Sequence, residues 1–119
     1  MSAIDKLRIS EYLRHVIEAI RRIERYTADM TEVLFLTDEK TQDAVVRNFE
    51  IIGEACNKYH KKHPDFASQP AEVPWILAYE MRNALAHGYH KVDFEIVWKT
   101  IHTNLPVLRL QVEGVLATI

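Results

Sequence analysis

The apolar residues of the first segment recur at steps of three and four positions. They are Leu13, Val16, Ile17, Ile20 and Ile23, and glutamate and arginine residues fill most positions between them. This period is that of an α-helix with one apolar face. The sequence therefore predicts an amphipathic helix of about five or six turns that ends near Tyr26. A short turn of helix is predicted to follow at residues 31–35.

A second long helix is predicted from about Glu39 to Tyr59. Thr37 or Asp38 is suited to cap it, because side-chain oxygens accept hydrogen bonds from the free amides of a first turn. Gly53 lies inside this helix. It indicates either that another helix approaches closely or that the helix simply tolerates a glycine at this position. The apolar residues alternate four- and three-residue steps, which predicts a seam against another helix; they are Val45, Phe49, Ile52, Cys56 and Tyr59.

The second half of the chain predicts two more helices. Pro74 suits the first position of a helix, and Gly88 suits the position just past its end. Asp93 is placed as the N-cap of a last helix, which Pro106 is expected to kink or restart. No segment alternates apolar and polar residues for long enough to form a strand. We therefore expect an all-α, four- to five-helix up-down bundle, with residues 1–119 as a single domain.

Composition and charge exclude several classes of protein. The 119 residues include one cysteine, so a disulfide scaffold is excluded and a reducing cytoplasm is expected. We expect neither a signal peptide nor a membrane span, because no apolar run is long enough for either. Fifteen Lys and Arg against seventeen Asp and Glu give a net charge of −2. Any contact with RNA must therefore be local, since the overall field does not attract phosphate.

The segment 81–90 carries the residues best suited to chemistry. Arg82, His87 and Tyr89 place a guanidinium, an imidazole and a phenol close together at a predicted helix end. On an ideal helix Arg82 and His87 point about 140° apart, but a helix that ends at His87 frees this side chain to turn toward the arginine. A metal-free ribonuclease needs a base for the ribose 2′-hydroxyl and a cation for the charge that develops on phosphorus. Spacing alone favours the simpler interpretation of a solvated cation and a partner of the helix dipole.

Arg82-x4-His87-x-Tyr89 matches the Arg-x4-His-x-Tyr signature of HepT-like proteins. These are ribonuclease toxins of the HEPN superfamily that pair with MntA-type minimal nucleotidyltransferases. The resemblance covers nearly the whole chain in order, and its four blocks together are specific, whereas Arg-x4-His alone is common by chance. The other blocks are residues 41–55, similar to the family's second helix; Pro74-Trp75 with Met81-Arg82-Asn83, similar to its third; and Val92-Asp93, Trp98 and Leu105-Pro106, similar to its C-terminal helix.

The resemblance implies a compact helical homodimer in which the Arg-x4-His elements of two protomers face one another in a cleft. His87 would then activate the 2′-hydroxyl for attack on the adjacent phosphate, and Arg82 would stabilise the phosphorane. The products would be a 2′,3′-cyclic phosphate and a 5′-hydroxyl, without a metal or another cofactor. Asn83 is implied to orient His87 or the phosphate, and Arg47 and Glu54 to support the catalytic pair.

Tyr89 has a separate implied role as a site of modification. In toxin–antitoxin pairs of this family the nucleotidyltransferase adds AMP to the motif tyrosine, and the added phosphate would repel an RNA backbone or occupy the Arg82 site. Two structural roles compete with this one. The ring would otherwise pack at a turn, or the hydroxyl would bond a free helix-end carbonyl.

The remaining polar and aromatic residues have simpler interpretations. Arg47, Asn48 and Glu54, with Glu50 as a neighbour, are typical of a salt-bridged polar helix face. The arginines at 21, 22 and 25 are interpreted as a solvated face, diluted by Glu18 and Glu24. The histidine pairs 60/63 and 87/90 lack a nearby carboxylate or cysteine, so no metal site is predicted. Trp75 and Trp98 are expected as core or interface anchors.

The leading hypothesis is a cytoplasmic, metal-independent endoribonuclease toxin of a type VII-like HepT/MntA pair. It would form a homodimer, cleave RNA and be silenced by AMP addition to Tyr89. The alternative is a non-catalytic HEPN module that binds a nucleotidyltransferase partner. The intact Arg82, His87 and Tyr89 favour the first hypothesis, and the net charge of −2 favours the second.

Overall fold

The computed structural model describes residues 2–62 and 92–119, and every regular element within these ranges is an α-helix. The helices are α1 (Ala3–Thr27), α2 (Glu32–Thr37), α3 (Glu39–Lys62) and α4 (Phe94–Ala117). The all-α prediction is confirmed. The helix predicted to begin at Pro74 lies outside the described residues, so the total of four or five helices stays a prediction. None of the described helices has the length and apolar character needed to cross a membrane.

The four helices begin where side-chain oxygens satisfy free backbone amides. Ser2 caps α1 and Thr31 caps α2, as each accepts a bond from the amide three residues later. At the start of α3, Asp38 supplies the cap, because its carboxylate accepts bonds from the amide and the hydroxyl of Thr41 at 3.1 and 2.9 Å. These bonds, led by the one from the amide, hold the pKa of Asp38 below its usual range. Asp93 caps α4, as predicted.

The prediction that Pro106 could restart the last helix is wrong, since α4 continues through this residue. A proline removes one backbone hydrogen bond, here the one that the carbonyl of residue 102 would accept. Leu105 and Leu108 are buried on either side of Pro106. Their burial keeps the turns before and after the proline in one helix, because the apolar face continues across it.

The apolar core forms where α1 packs against both α3 and α4. The predicted apolar face of α1 is buried, and the seam of α3 from Val45 to Tyr59 is buried at every predicted position. Gly53 is also buried, and both explanations for this glycine stay predictions. The buried apolar residues of α1 are Ile9, Leu13, Val16, Ile17, Ala19, Ile20 and Ile23, and those of α4 are Val97, Ile101, Leu105, Leu108 and Val112.

The short helix α2 holds the first turn of α4 in place through one aromatic side chain. Phe35 is fully buried, and its ring centroid lies 6.1 Å from that of Phe94 and 5.3 Å from that of Trp98. Aromatic rings at such distances add to the free energy gained by burial. Trp98 is half-buried against the core, which confirms its predicted role as an anchor.

A salt bridge joins α1 to α4 at the edge of this core. Nη1 of Arg109 donates to both carboxylate oxygens of Glu24 at 2.9 Å. Each side chain is about one-third exposed, at 34% and 33%. A pair that is partly withdrawn from water and fixed by two hydrogen bonds is worth more than a pair in open solvent.

We predict that Glu24→Gln lowers the free energy of unfolding by about 1–2 kcal/mol. The substitution leaves the half-buried guanidinium of Arg109 with only its longer pair to Glu113, at 3.8 Å. The matched control is Glu18→Gln, which removes an exposed pair with Arg22 inside α1 and is expected to cost less than about 0.5 kcal/mol. Urea unfolding followed by circular dichroism measures both values. Equal costs for the two variants would contradict the structural role of the bridge.

Candidate functional site

The motif residues Arg82, Asn83, His87 and Tyr89 lie outside the described residues. The predicted convergence of Arg82 and His87 therefore stays a prediction, as does the role of Tyr89. Trp75 and the histidine pairs at 60/63 and 87/90 also involve positions whose side chains the structure does not describe. The structure does place the helices on either side of this segment. Helix α3 precedes it, α4 follows it, and both helices pack against α1.

The outer face of α3 carries the two predicted supporting residues. Arg47 and Glu54 are seven positions apart, so they share a helix face with a separation of about 10 Å along the axis. Arg47 is 67% exposed and its guanidinium lies 3.8 Å from the carboxylate of Glu50. Glu54 is exposed as well. The predicted salt-bridged face is confirmed for Arg47 and Glu50, while the support of a catalytic pair by Arg47 and Glu54 stays a prediction.

The placement of Asn48 on the same polar face is wrong, because this side chain is buried. One position along a helix rotates a side chain by about 100°, which turns Asn48 from the face of Arg47 toward the core. Its Nδ2 donates to the carbonyl of Ala44 at 2.8 Å. Among the described residues no donor lies within hydrogen-bonding distance of its Oδ1.

Two arginines near the end of α1 contact side chains of the same helix. Arg22 pairs with Glu18 at 3.3 Å, and the guanidinium carbon of Arg25 lies 5.6 Å from the ring centroid of Tyr26. Glu24 does not dilute this cluster as predicted, because it bonds Arg109 of α4. Helix α1 still carries six Lys and Arg against four Asp and Glu, which makes it more basic than the chain as a whole.

A shallow depression of about 490 Å³ opens beside the start of α4. Here the rings of Trp98 and His102 lie 4.2 Å apart, and Nδ1 of His102 lies 2.9 Å from the carbonyl oxygen of Trp98. His102 was not predicted as a site residue, although its four-residue spacing from Trp98 signals a side-chain contact on a helix. Three carboxylates against one ammonium group disfavour a phosphate ligand here. The lining residues are Glu32, Asp93, Glu95, Ile96, Trp98, Lys99, His102 and Thr103.

Two buried titratable groups on α3 are not ionised at neutral pH. Burial raises the pKa of the Cys56 thiol far above neutrality, so the reactive thiolate is not formed at neutral pH. Burial likewise raises the pKa of the Tyr59 phenol. Within residues 2–62 and 92–119, no three His, Cys, Asp or Glu side chains are grouped so that they could hold a metal ion.

Comparison with known proteins relates most of the chain to one family. A family model described as ribonuclease HepT-like matches residues 16–115. A protein named "Probable ribonuclease HepT" from Thermococcus cleftensis is 40% identical over 103 residues, which cover 83% of this chain and 87% of that protein. No solved structure matches the chain significantly.

Two proteins of Methanocaldococcus jannaschii are also similar. One, whose name joins a gamma-glutamylcyclotransferase to a candidate RNase, is 38% identical over 101 residues, or 85% of this chain and 44% of that protein. The other, named as a candidate RNase, is 35% identical over 98 residues, or 82% of this chain and 78% of that protein. The chain thus matches about half of the first protein and most of the second.

We predict that Arg47→Ala changes the free energy of unfolding by less than about 0.5 kcal/mol, because an exposed pair contributes little. The neighbouring Asn48→Asp is expected to cost at least about 2 kcal/mol at neutral pH, since it buries a carboxylate against the carbonyl of Ala44. Urea unfolding at pH 7 compares the two. A large cost for Arg47→Ala would show that Arg47 is part of the core, and a negligible cost for Asn48→Asp would contradict the burial of Asn48.

Proposed function

This chain belongs to the ribonuclease HepT-like family, and from that membership we propose that it is a metal-independent endoribonuclease whose catalytic residues are Arg82 and His87. The observation that carries the proposal is the family match over residues 16–115, a range that contains the whole Arg82-x4-His87-x-Tyr89 motif. The names of the similar proteins from T. cleftensis and M. jannaschii agree with this activity.

The two groups divide the reaction between them. His87 accepts the proton of a ribose 2′-hydroxyl, the 2′-oxygen attacks the adjacent phosphorus, and the bond from phosphorus to the 5′-oxygen breaks. The departing 5′-oxygen takes up a proton, so the products are a 2′,3′-cyclic phosphate and a 5′-hydroxyl. Arg82 stabilises the charge on the phosphorane, because its guanidinium donates to phosphate oxygens in a fixed, always cationic geometry. A base of this kind contributes about 10²–10⁴-fold to the rate.

A local cationic site is needed because the chain has a net charge of −2. We propose that a homodimer supplies it, with the Arg-x4-His elements of two protomers in one cleft, so that two Arg82 side chains act on the same RNA backbone. Asn83 orients His87 or the phosphate in this proposal. Arg47 and Glu54 act as positioning residues, since their shared exposed face on α3 leaves both side chains accessible to a cleft.

We further propose that the enzyme is the toxin of a HepT/MntA pair in the cytoplasm. An MntA-type nucleotidyltransferase antitoxin transfers AMP from a nucleotide to the phenolic oxygen of Tyr89, and pyrophosphate leaves if the donor is ATP. The added phosphate places negative charge two residues from His87, where it repels the RNA backbone or binds Arg82. Modification of a single tyrosine would thus silence the nuclease without unfolding it.

The second candidate function is a non-catalytic helical module that binds a nucleotidyltransferase. The net charge of −2 favours it, because non-specific affinity for RNA rises with positive charge. In that case the motif would present the partner's active site or substrate, and Arg82 and His87 would contact no RNA.

We predict that induction of the wild-type chain in a bacterial host arrests growth and cleaves RNA, whereas Arg82→Ala and His87→Ala do neither. Each variant lacks one of the two groups that the reaction needs, so cleavage is expected to fall at least about 100-fold. Growth curves, total RNA on a gel and circular dichroism of the purified chains are the measurements. The same growth and intact RNA with all three soluble, helical proteins would refute catalysis and favour the non-catalytic module.

Arg47→Ala serves as a graded control in this experiment. A positioning residue that is not essential to the chemistry is expected to reduce cleavage while leaving some activity. Full activity of Arg47→Ala would remove Arg47 from the proposed site without affecting the roles of Arg82 and His87.

We predict that co-expression with an MntA-type nucleotidyltransferase raises the intact mass of the chain by one or more AMP units. Tyr89→Phe is expected to abolish the increment, because it removes the accepting oxygen and leaves the ring. Intact-mass spectrometry measures the change, and Tyr26→Phe, at an exposed tyrosine on α1, is the control that keeps it. Persistence of the increment in Tyr89→Phe would show that another residue accepts AMP.

A further inference from the structure

Three arginines form a stripe along the exposed side of α1. At about 100° per residue they fall within a sector of about 40°, and they span about 16 Å along the helix axis. All three side chains are exposed. The buried Val16 points about 160° away from the first of them, so the stripe lies on the side of α1 opposite the core. We call this set the arginine stripe; it consists of Arg14, Arg21 and Arg25.

The charges of the arginine stripe are not neutralised within the described structure. Over residues 2–62 and 92–119, no carboxylate forms an ion pair with any of the three side chains. Glu18, which lies between them along the helix, pairs with Arg22 at 3.3 Å. Glu24 is bound to Arg109 of α4. The contact of Arg25 is with an aromatic ring, which carries no net charge.

The surface around the arginine stripe is entirely polar. Every exposed side chain of α1 from residue 11 to residue 25 is charged or is a histidine. A helix that lies on a membrane exposes apolar side chains to the lipid, and the centre of a protein interface is poor in charged residues. Guanidinium groups, by contrast, bind phosphate oxygens through paired hydrogen bonds. The composition of this surface therefore favours a phosphate backbone over a lipid or a protein.

The arginine stripe is narrow, because carboxylates lie along one of its flanks. Glu11 and Glu18 are exposed and point about 40–60° away from Arg14. Recognition of double-stranded RNA needs a broad surface that spans two successive minor grooves. A single strand needs a line of cations that follows its backbone. The shape of the stripe therefore favours a single strand over a duplex.

We propose that the arginine stripe of α1 binds the phosphate backbone of single-stranded RNA. The three charges are local, which agrees with the need for a local cationic site in a chain of net charge −2. The inference deepens the proposed ribonuclease, on which it rests, by naming a surface that holds the substrate. None of these arginines belongs to the Arg82-x4-His87 motif, so the stripe contributes affinity for RNA and no chemical step.

The experiment measures binding of a single strand that the proposed reaction cannot cleave. The probe is a fluorescent oligonucleotide with 2′-O-methyl groups, which lacks the attacking hydroxyl, and its anisotropy gives the affinity at several salt concentrations. The stripe variant carries Arg14→Gln and Arg21→Gln together. We expect its salt slope to be smaller by about 1.4 and its binding at low salt to be weaker by at least about tenfold, because each phosphate contact with a single strand contributes about 0.7 to the slope.

The matched control carries Lys6→Gln and Arg8→Gln, which remove the same charge from α1. Both side chains are exposed and point at least about 80° away from Arg14. We expect the control to change the salt slope by less than about 0.5. Equal losses of binding in the two double variants would show a response to net charge alone and overturn the inference.

Urea unfolding of both double variants tests for a purely structural role of these arginines. The expected result is an unchanged midpoint, since exposed side chains without an ion pair contribute little to stability. A lower midpoint for the stripe variant alone would show that its arginines support the fold and would contradict their role in binding.

The outcomes separate this inference from the proposed function. If the chain cleaves RNA, the stripe variant is expected to raise KM for RNA and leave kcat unchanged. Cleavage by the wild type with the same KM in the stripe variant would overturn the inference alone. Probe binding that depends on the stripe in a chain that cleaves no RNA would refute the nuclease and support the stripe. Binding to phosphatidylserine vesicles and not to the probe would assign the stripe to a membrane surface and overturn the inference.

Discussion

One apolar face of α1 contacts two other long helices at once, and the arrangement of the whole described structure depends on that burial. Seven apolar side chains of α1 between Ile9 and Ile23 are buried. At about 1.5–3 kcal/mol for each large side chain, this face outweighs every polar interaction in the structure. Helices α3 and α4 are therefore placed relative to each other mainly through α1.

The polar interactions refine this arrangement. The contact between Arg109 and Glu24 limits how far α4 can shift along α1, because Nη1 of Arg109 donates to both carboxylate oxygens of Glu24. Phe35 of α2 meets Phe94 and Trp98 and so holds the first turn of α4. The chain that enters the motif segment comes from α3 and the chain that leaves it enters α4. Both ends of the segment that carries Arg82 and His87 are thus tied to helices anchored on α1.

The separation of the helical scaffold from the motif segment is consistent with a ribonuclease whose net charge is −2. Among the described residues, Arg22, Arg47 and Arg109 each pair with a carboxylate. The buried thiol and phenol of α3 are raised in pKa by burial, so they take no part in proton transfer at neutral pH. The chemistry proposed for this chain therefore depends on the motif segment.

Periodicity and caps in the sequence were enough to predict the all-α class, the start of α3, the cap of α4 by Asp93 and the buried face of each long helix. The Arg82-x4-His87-x-Tyr89 motif and the family it indicates could also be recognised from the sequence. These features are local, because a helix and its cap depend on neighbours within four positions. Tertiary structure alone decided the continuation of α4 through Pro106, the burial of Asn48 and the pairing of Glu24 with Arg109 across 85 positions. Each of these depends on a residue distant in sequence or on the rotation of a whole helix, and no short-range pattern encodes such a contact.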